Sequence, residues 1–389
     1  MYLPALPTIM AELLTTDATV QLTLTGTLLG LGLGQLVVGP LADRLGRRRP
    51  LLAGTAVHVL ASALCLIAPN IAVLGGLRVL QGLGASAGAV IALAIVRDLY
   101  TGRAAATLLS RLILVMGAAP VIAPTLGGYV LAFTSWRGVF AVLAVFGLLL
   151  LPLAARILPE TLPPERRTSS GVAGTVRTYG RLLRDRTFLG LVLVAGFAMS
   201  AVIGYVAGAS FVFQEQFGLN QQQFGLVFGS GAIWLIAATQ LNPVLLRRFE
   251  PRQLLLVAVP AGATAALVMV GLALLGAGGI LGLLLPLWLM LFTVGIAMPN
   301  APAVALSRHG RTAGTAAALL GAVQFGVSAI VSPMVGVLGN DSIAMGTVVA
   351  SGLVLATLVL VLVVQPWRLG DVQTAEDDVP AAAVAAAAQ

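Results

Sequence analysis

The chain has 389 residues, of which 59% are hydrophobic and 9% charged, and its formal charge is +8. Soluble domains carry roughly 25% charged residues, so this composition excludes an ordinary globular fold. The positive balance comes from 22 arginines with no lysine, mostly in short loops between apolar runs; that pattern is a membrane-topology signal and excludes a nucleic-acid footprint.

A short apolar stub, residues 1–10, opens the chain and is much too short to cross a bilayer, which takes about 20 apolar residues. Eleven stretches of sufficient length follow, at about 19–40, 51–68, 71–95, 106–132, 136–155, 188–213, 224–246, 254–275, 280–304, 314–338 and 343–365. The expected architecture is therefore an all-α membrane protein of twelve spans, the first one truncated, in two six-helix halves. The expected divisions are 1–155 for the first half, 156–187 for a central loop, 188–365 for the second half, and 366–389 for a disordered tail. Arginines alternate with the loops: Arg44 and Arg47–Arg49, Arg97 and Arg103, the 156–186 stretch, Arg247, Arg248 and Arg252, then Arg308 and Arg311. By the positive-inside rule that side, with the central loop and the C-terminus, faces the cytoplasm of a bacterial inner membrane.

Internal repetition supports two halves. Gly39-Pro-Leu-Ala-Asp-Arg is matched 203 residues later by Asn242-Pro-Val-Leu-Leu-Arg, with the proline and the arginine in register. Ala123-Pro-Thr-Leu-Gly is matched 209 residues later by Ser332-Pro-Met-Val-Gly. Parallel halves of this kind place a transport site between them near mid-membrane. The single cysteine, Cys65, allows no disulfide framework, and His58 and His309 are too few and too separated for a metal cluster.

Arg78 lies well inside the fourth span. A charge there costs at least ~2.5 kcal/mol by insertion scales, so it is expected to face a cavity or a partner, with Gln81 one turn away on the same face. The bland alternative is an arginine that bonds backbone carbonyls and takes no part in transport. In the fifth span, Gly117, Pro120, Pro124, Gly127 and Gly128 permit close helix approach and bending, although small residues alone usually mean packing.

Seven strings carry a resemblance. The loop with Gly39, Asp43, Arg44, Gly46, Arg47 and Arg48 closely resembles the signature loop of the major facilitator superfamily. Arg78-x-x-Gln-Gly resembles that superfamily's fourth-span pattern, and Gly117-x-x-x-Pro120 with Pro124-x-x-Gly127-Gly128 resembles the fifth-span motif of its exporters. Tyr2-Leu-Pro-Ala-Leu-Pro, Arg97-Asp98, Trp136-Arg137 and Met298-Pro-Asn are similar to the bicyclomycin- and chloramphenicol-resistance exporters, the Bcr/CflA family. The resemblance implies that Asp43 and the arginines latch the halves together, that Arg78 and Gln81 serve proton transfer, and that the fifth-span motif marks export. It also implies a monomer driven by the proton gradient, with no bound cofactor. Relatives carry an acidic residue just before the Tyr-Leu-Pro stretch; Met1 stands there here, so a start too late by a few tens of residues is expected, and the relatives' proton acceptor has no counterpart in these residues.

The expected function is proton-coupled export of small, largely apolar drugs. Candidate cavity residues are Tyr2, Met116, Tyr205, Trp234, Gln240, Asn300 and Gln324. A metabolite transporter is the alternative, but it calls for a strongly polar binding set, and only Arg78 qualifies. A polytopic enzyme would need paired carboxylates or a Ser/His or His/Asp set at membrane depth, and an ATP-driven pump a Walker motif; the sequence has neither.

Overall fold

The computed structural model of the chain describes residues 1–100, 108, 112, 122–167, 172–307, 309 and 313–368. Among the described residues every regular element is helical. A turn at Leu3–Ala5 leads into α1 (Leu6–Glu12), then α2 (Asp17–Leu45), α3 (Arg48–Cys65), α4 (Ile71–Leu99), α5 (Ile122–Leu131) and α6 (Trp136–Ile157). After α7 (Val172–Leu182) come α8 (Arg186–Phe211), α9 (Gln221–Leu245), α10 (Pro251–Leu274), α11 (Gly279–Ser307), α12 (Ala313–Val331), α13 (Met334–Val337) and α14 (Ser342–Val359). Nine helices among the described residues are long and apolar enough to cross a membrane.

The polar loop residues end these helices. Asn70 caps α4 through the Val73 amide at 3.0 Å, Asp185 caps α8 through Thr187 at 2.9 Å, and Asp341 caps α14 through Ala344 at 2.7 Å. Asn220 and Gln223 cap α9 reciprocally at 2.9 and 3.0 Å. Each cap supplies an acceptor to an amide that the helix itself leaves open.

Small residues then decide the packing. In lipid there is little hydrophobic drive between helices, so close backbone approach matters most. Gly26, Gly30 and Gly34 recur every fourth residue on α2 and bring it onto α4: a Cβ at Gly26 would stand 2.8 Å from the Gly75 carbonyl, and one at Gly30 would collide with the Val79 carbonyl. Before the 156–187 stretch, α2 packs on α4, α4 on α3, and α3 on α6; after it, α9 packs on α11, α11 on α10, and α10 on α14. The α2–α12 contact joins the two sets: Gly32 meets Ala322 and Phe325, and Gly321 meets Gln35.

Two details refine the expected layout. The central loop contains α7, whose residues Thr175, Thr178, Tyr179 and Leu182 face inward at helical spacing while Arg177 and Arg181 face out; Leu182 is buried under α8, and the Tyr179 hydroxyl donates to the Leu36 carbonyl at 3.3 Å. The eleventh span breaks at Ser332–Pro333, because a proline lacks the amide that would continue the helix, and resumes as α13. Only Ile122–Leu131 of the fifth span is described; Met116, Gly117 and Pro120, like the tail from Asp371, lie outside the described residues.

Candidate functional site

Arg78 is buried at 6% exposure, two turns into α4. Its Nη1 donates to the Gln81 Oε1, one turn on. The Gln81 Nε2 donates to the Ser62 Oγ at 2.7 Å, which in turn donates to the His58 carbonyl at 2.7 Å. The His58 Nδ1 lies 3.0 Å from the Gln81 carbonyl, an acceptor, so Nδ1 carries the proton. The α3 residues His58, Ser62 and Cys65 thus form an inward stripe facing Arg78 and Gln81.

The other side of Arg78 is aromatic. Its guanidinium stands 4.3 Å from the Tyr2 ring centroid and 5.8 Å from that of Phe140, and Tyr2 and Phe140 lie 5.5 Å apart. A guanidinium over ring faces is electrostatically attracted, and more strongly where water is excluded. The Tyr2 hydroxyl is fixed at 2.5 Å from the Thr23 Oγ1. Among the described residues the Arg78 Nε has no hydrogen-bond partner. The site is therefore a desolvated cation held by one amide and two rings, with its buried Nε unpartnered among the described residues.

The signature loop forms a second polar centre, at the opposite end of α2. Arg47, 10% exposed at its side chain, bonds Asp43 at 2.6 Å and Asp98 at 2.8 Å. Glu160, just after α6, accepts from the amides of Arg47 at 2.7 Å, Arg48 at 3.3 Å and Leu162 at 3.0 Å. Thr161 donates to Asp98 at 3.2 Å, and Arg48 donates to the Ala155 carbonyl. Partial burial works against the Glu160 carboxylate, but these amides, with the Arg167 charge, hold its pKa below the ordinary value. Burial likewise opposes the Arg47 charge, and the hydrogen bonds to Asp98 and Asp43 outweigh it and raise its pKa. These bonds tie α2, α4 and the segment after α6 to one another. Among the described residues, no bond of Arg47 reaches the second half. Arg44 takes no part in this cluster, and Gly39 contacts Ala318 of α12 instead.

Gly46 permits the arrangement. Its φ of +91° is a glycine conformation, and a Cβ there would enter the Glu160 carboxylate. Gly46→Ala is expected to destabilise this corner by about 1–3 kcal/mol, read as a lower melting temperature of the purified protein in detergent. An unchanged melting temperature would refute the strain.

The remaining expected residues do not gather at one place. Tyr2 is the one that meets Arg78. Tyr205 is 3% exposed, stacked 5.2 Å from Phe228 in the core of the second half. Asn300 is 1% exposed and donates to Asn242 at 2.6 Å, fastening α11 to α9. Trp234 is 44% exposed and stacks 6.2 Å from Trp288, with Phe292 at 6.3 Å. Gln240 is exposed on α9, and Gln324 is half-buried on α12. In the fifth span, Pro124 is buried, Gly127 packs on Met1, and a Cβ at Gly128 would stand 3.1 Å from the Gln221 carbonyl. Sequence reasoning missed Ser62, His58, Phe140, Thr23 and Glu160. Spacing on α3 could have found the first two, since His58, Ser62 and Cys65 fall on one helical face. Among the described residues there is no group of His, Cys, Asp and Glu able to hold a metal.

Residues 1–333 match the family described as Major Facilitator Superfamily. A Bacillus subtilis protein named as the MFS-type transporter YdgK is 37% identical over 364 residues, covering 92% of this chain and 89% of that protein. A Haemophilus influenzae bicyclomycin resistance protein homolog is 30% identical over 351 residues, covering 88% and 86%. The crystal structure of a D-xylose-proton symporter shares the fold with a TM-score of 0.71 at 16% identity, covering 93% of this chain and 94% of that one. A match over most of the length, together with the buried intramembrane arginine and the signature loop, makes this a multi-span membrane transporter: the chain belongs to the Major Facilitator Superfamily.

Proposed function

We propose that this transporter exports small, largely apolar drugs across the bacterial inner membrane in exchange for protons, alternating access between two six-helix halves. The observation that carries the reading is Arg78, a desolvated guanidinium inside a membrane-spanning helix, bracketed by Gln81, Tyr2 and Phe140. A buried ion in a membrane helix marks a transport pathway by default. Membership of the superfamily and the name of the Haemophilus relative, a bicyclomycin resistance protein homolog, support a drug as cargo. The exposed or half-exposed rings of Trp234, Trp288 and Phe292, on α9 and α11, suit weakly polar compounds. The arginine-rich loops and the C-terminus would face the cytoplasm. The proton gradient would supply the energy, with no bound cofactor, and the chain would work as a monomer.

Drug susceptibility tests this reading in a host stripped of its own exporters, with bicyclomycin and chloramphenicol in the panel. Protection that a protonophore abolishes is the expected result; no protection despite good membrane expression would overturn the drug reading.

The signature loop would tune the rate. Asp43 is 45% exposed and bonds Arg47 at 2.6 Å. Asp43→Asn is expected to slow transport several-fold by weakening a partly exposed pair worth about 1 kcal/mol. Wild-type rates in that variant would reduce the loop to a topology signal.

A further inference from the structure

The opposite end of the bundle holds a closure that the signature loop does not touch. Gln21, one turn into α2, has no exposed surface. Its Nε2 donates to the Asn340 Oδ1 at 2.8 Å and approaches the Ala207 carbonyl at 3.5 Å, and its Oε1 accepts from the Gly336 amide at 2.9 Å. One side chain of α2 therefore holds three segments of the second half: the last turns of α8, the end of α13 and the turn before α14.

The backbone around Gln21 is shaped to receive it. Asn340 is 6% exposed and has a φ of +59°, beside Gly339 at +121°. A Cβ at Gly336 would stand 2.8 Å from the Ala18 Cα and 2.9 Å from the Gln21 Oε1, so this α2–α13 approach needs the glycine. The repeat makes the closure twofold. Gly336 is 209 residues after Gly127, and the neighbouring Gly128 contacts Gln221, which is 203 residues after Ala18. Thus the end of the fifth span sits on the start of α9, and the end of the eleventh sits on the start of α2. The α2 seal is hydrogen-bonded by a buried amide, and at the α9 seal a Cβ on Gly225 would stand 3.3 Å from the Thr125 Cα, a close backbone approach.

We propose that Gln21 is the lock of this end, a positioning residue whose bonds to Gly336 and Asn340 break each time the transporter opens away from its arginine-rich side. A side-chain amide suits the task. Its bonds are neutral, so they are individually modest and can be replaced by water once the seal parts. The local symmetry assigns the matching small-residue seal at α5 and α9 to the same movement. The proposal rests on the alternating-access reading, but its test needs no substrate and can fail separately.

The probe is a membrane-impermeant maleimide, applied to a Cys65→Ala background in which the chain's single cysteine is removed. The reporter is Ser210→Cys, one turn along α8 from Ala207 and fully buried. Gln21→Ala removes the bonds, and Gly336→Ala wedges the same joint by adding volume. Each is expected to raise labelling of position 210 about tenfold, the effect of losing roughly 1.4 kcal/mol of closure. Ala318→Cys, against Gly39 at the opposite end, is expected to stay protected in both variants. Unchanged labelling at position 210 in both variants would overturn the lock. Labelling that rises at both ends would also overturn it, because that marks general loosening instead of opening at one end.

Discussion

Arg78→Ala is expected to cut proton-driven export by about 10- to 100-fold, while the protein remains folded and inserted. The magnitude follows from a charge-assisted bond of roughly 1.5–3 kcal/mol and the conversion of about 1.4 kcal/mol per tenfold. Folding should survive because the truncation strands no opposite charge: the partners of Arg78 are an amide oxygen and two aromatic faces. Gln81 loses one bond but keeps Ser62 at 2.7 Å. Arg78→Lys is the sharper variant, since an ammonium keeps the charge but lacks the planar fork that covers the Tyr2 ring while reaching Gln81. Efflux and melting temperature measured together decide the matter. Full export by Arg78→Ala would confine the residue to packing, and a collapsed melting temperature would show that its role is structural.

Arg47→Ala has the opposite signature, loss of the fold's corner before loss of chemistry. Arg47 is 10% exposed at its side chain and neutralises Asp98, which is 16% exposed, as well as the more open Asp43. Removing one partner of a buried pair costs about 3–5 kcal/mol, and solvent at Asp43 lowers the expectation here to about 2 kcal/mol. Glu160 would keep its bonds to backbone amides, so the segment after α6 should loosen without detaching. The expected result is a lower melting temperature together with slower transport. Normal stability would mean that water compensates Asp98 fully.

These two residues also show how far the sequence reaches. Arg78 and Arg47 were legible because charge is rare in an apolar chain, and a rare feature carries information. Span positions were legible for a related reason: about 20 apolar residues have one use in a bilayer. The partners of these residues were much less so. Phe140 and Ser62 look like any span residue, and only the α3–α4 and α3–α6 packing brings them to Arg78. Glu160 lies 113 residues from Arg47, too far for any local pattern to connect them. Polarity was a coarser guide: Gln240 and Gln324 drew notice as cavity candidates and lie away from Arg78, whereas Gln21 drew none and bonds three segments of the second half from α2. The helix α7 went unseen because threonines dilute its inward face, leaving Tyr179 and Leu182 as its strong apolar marks.

The central claim is that a proton gradient drives drug across the membrane through the Arg78 site. The direct test is the purified transporter in sealed proteoliposomes with an imposed pH gradient, bicyclomycin or chloramphenicol as cargo, and Arg78→Ala alongside. The account predicts gradient-driven movement of drug that a protonophore stops and that the variant lacks. Drug that moves no faster than through empty liposomes, or equally well through Arg78→Ala, would contradict it.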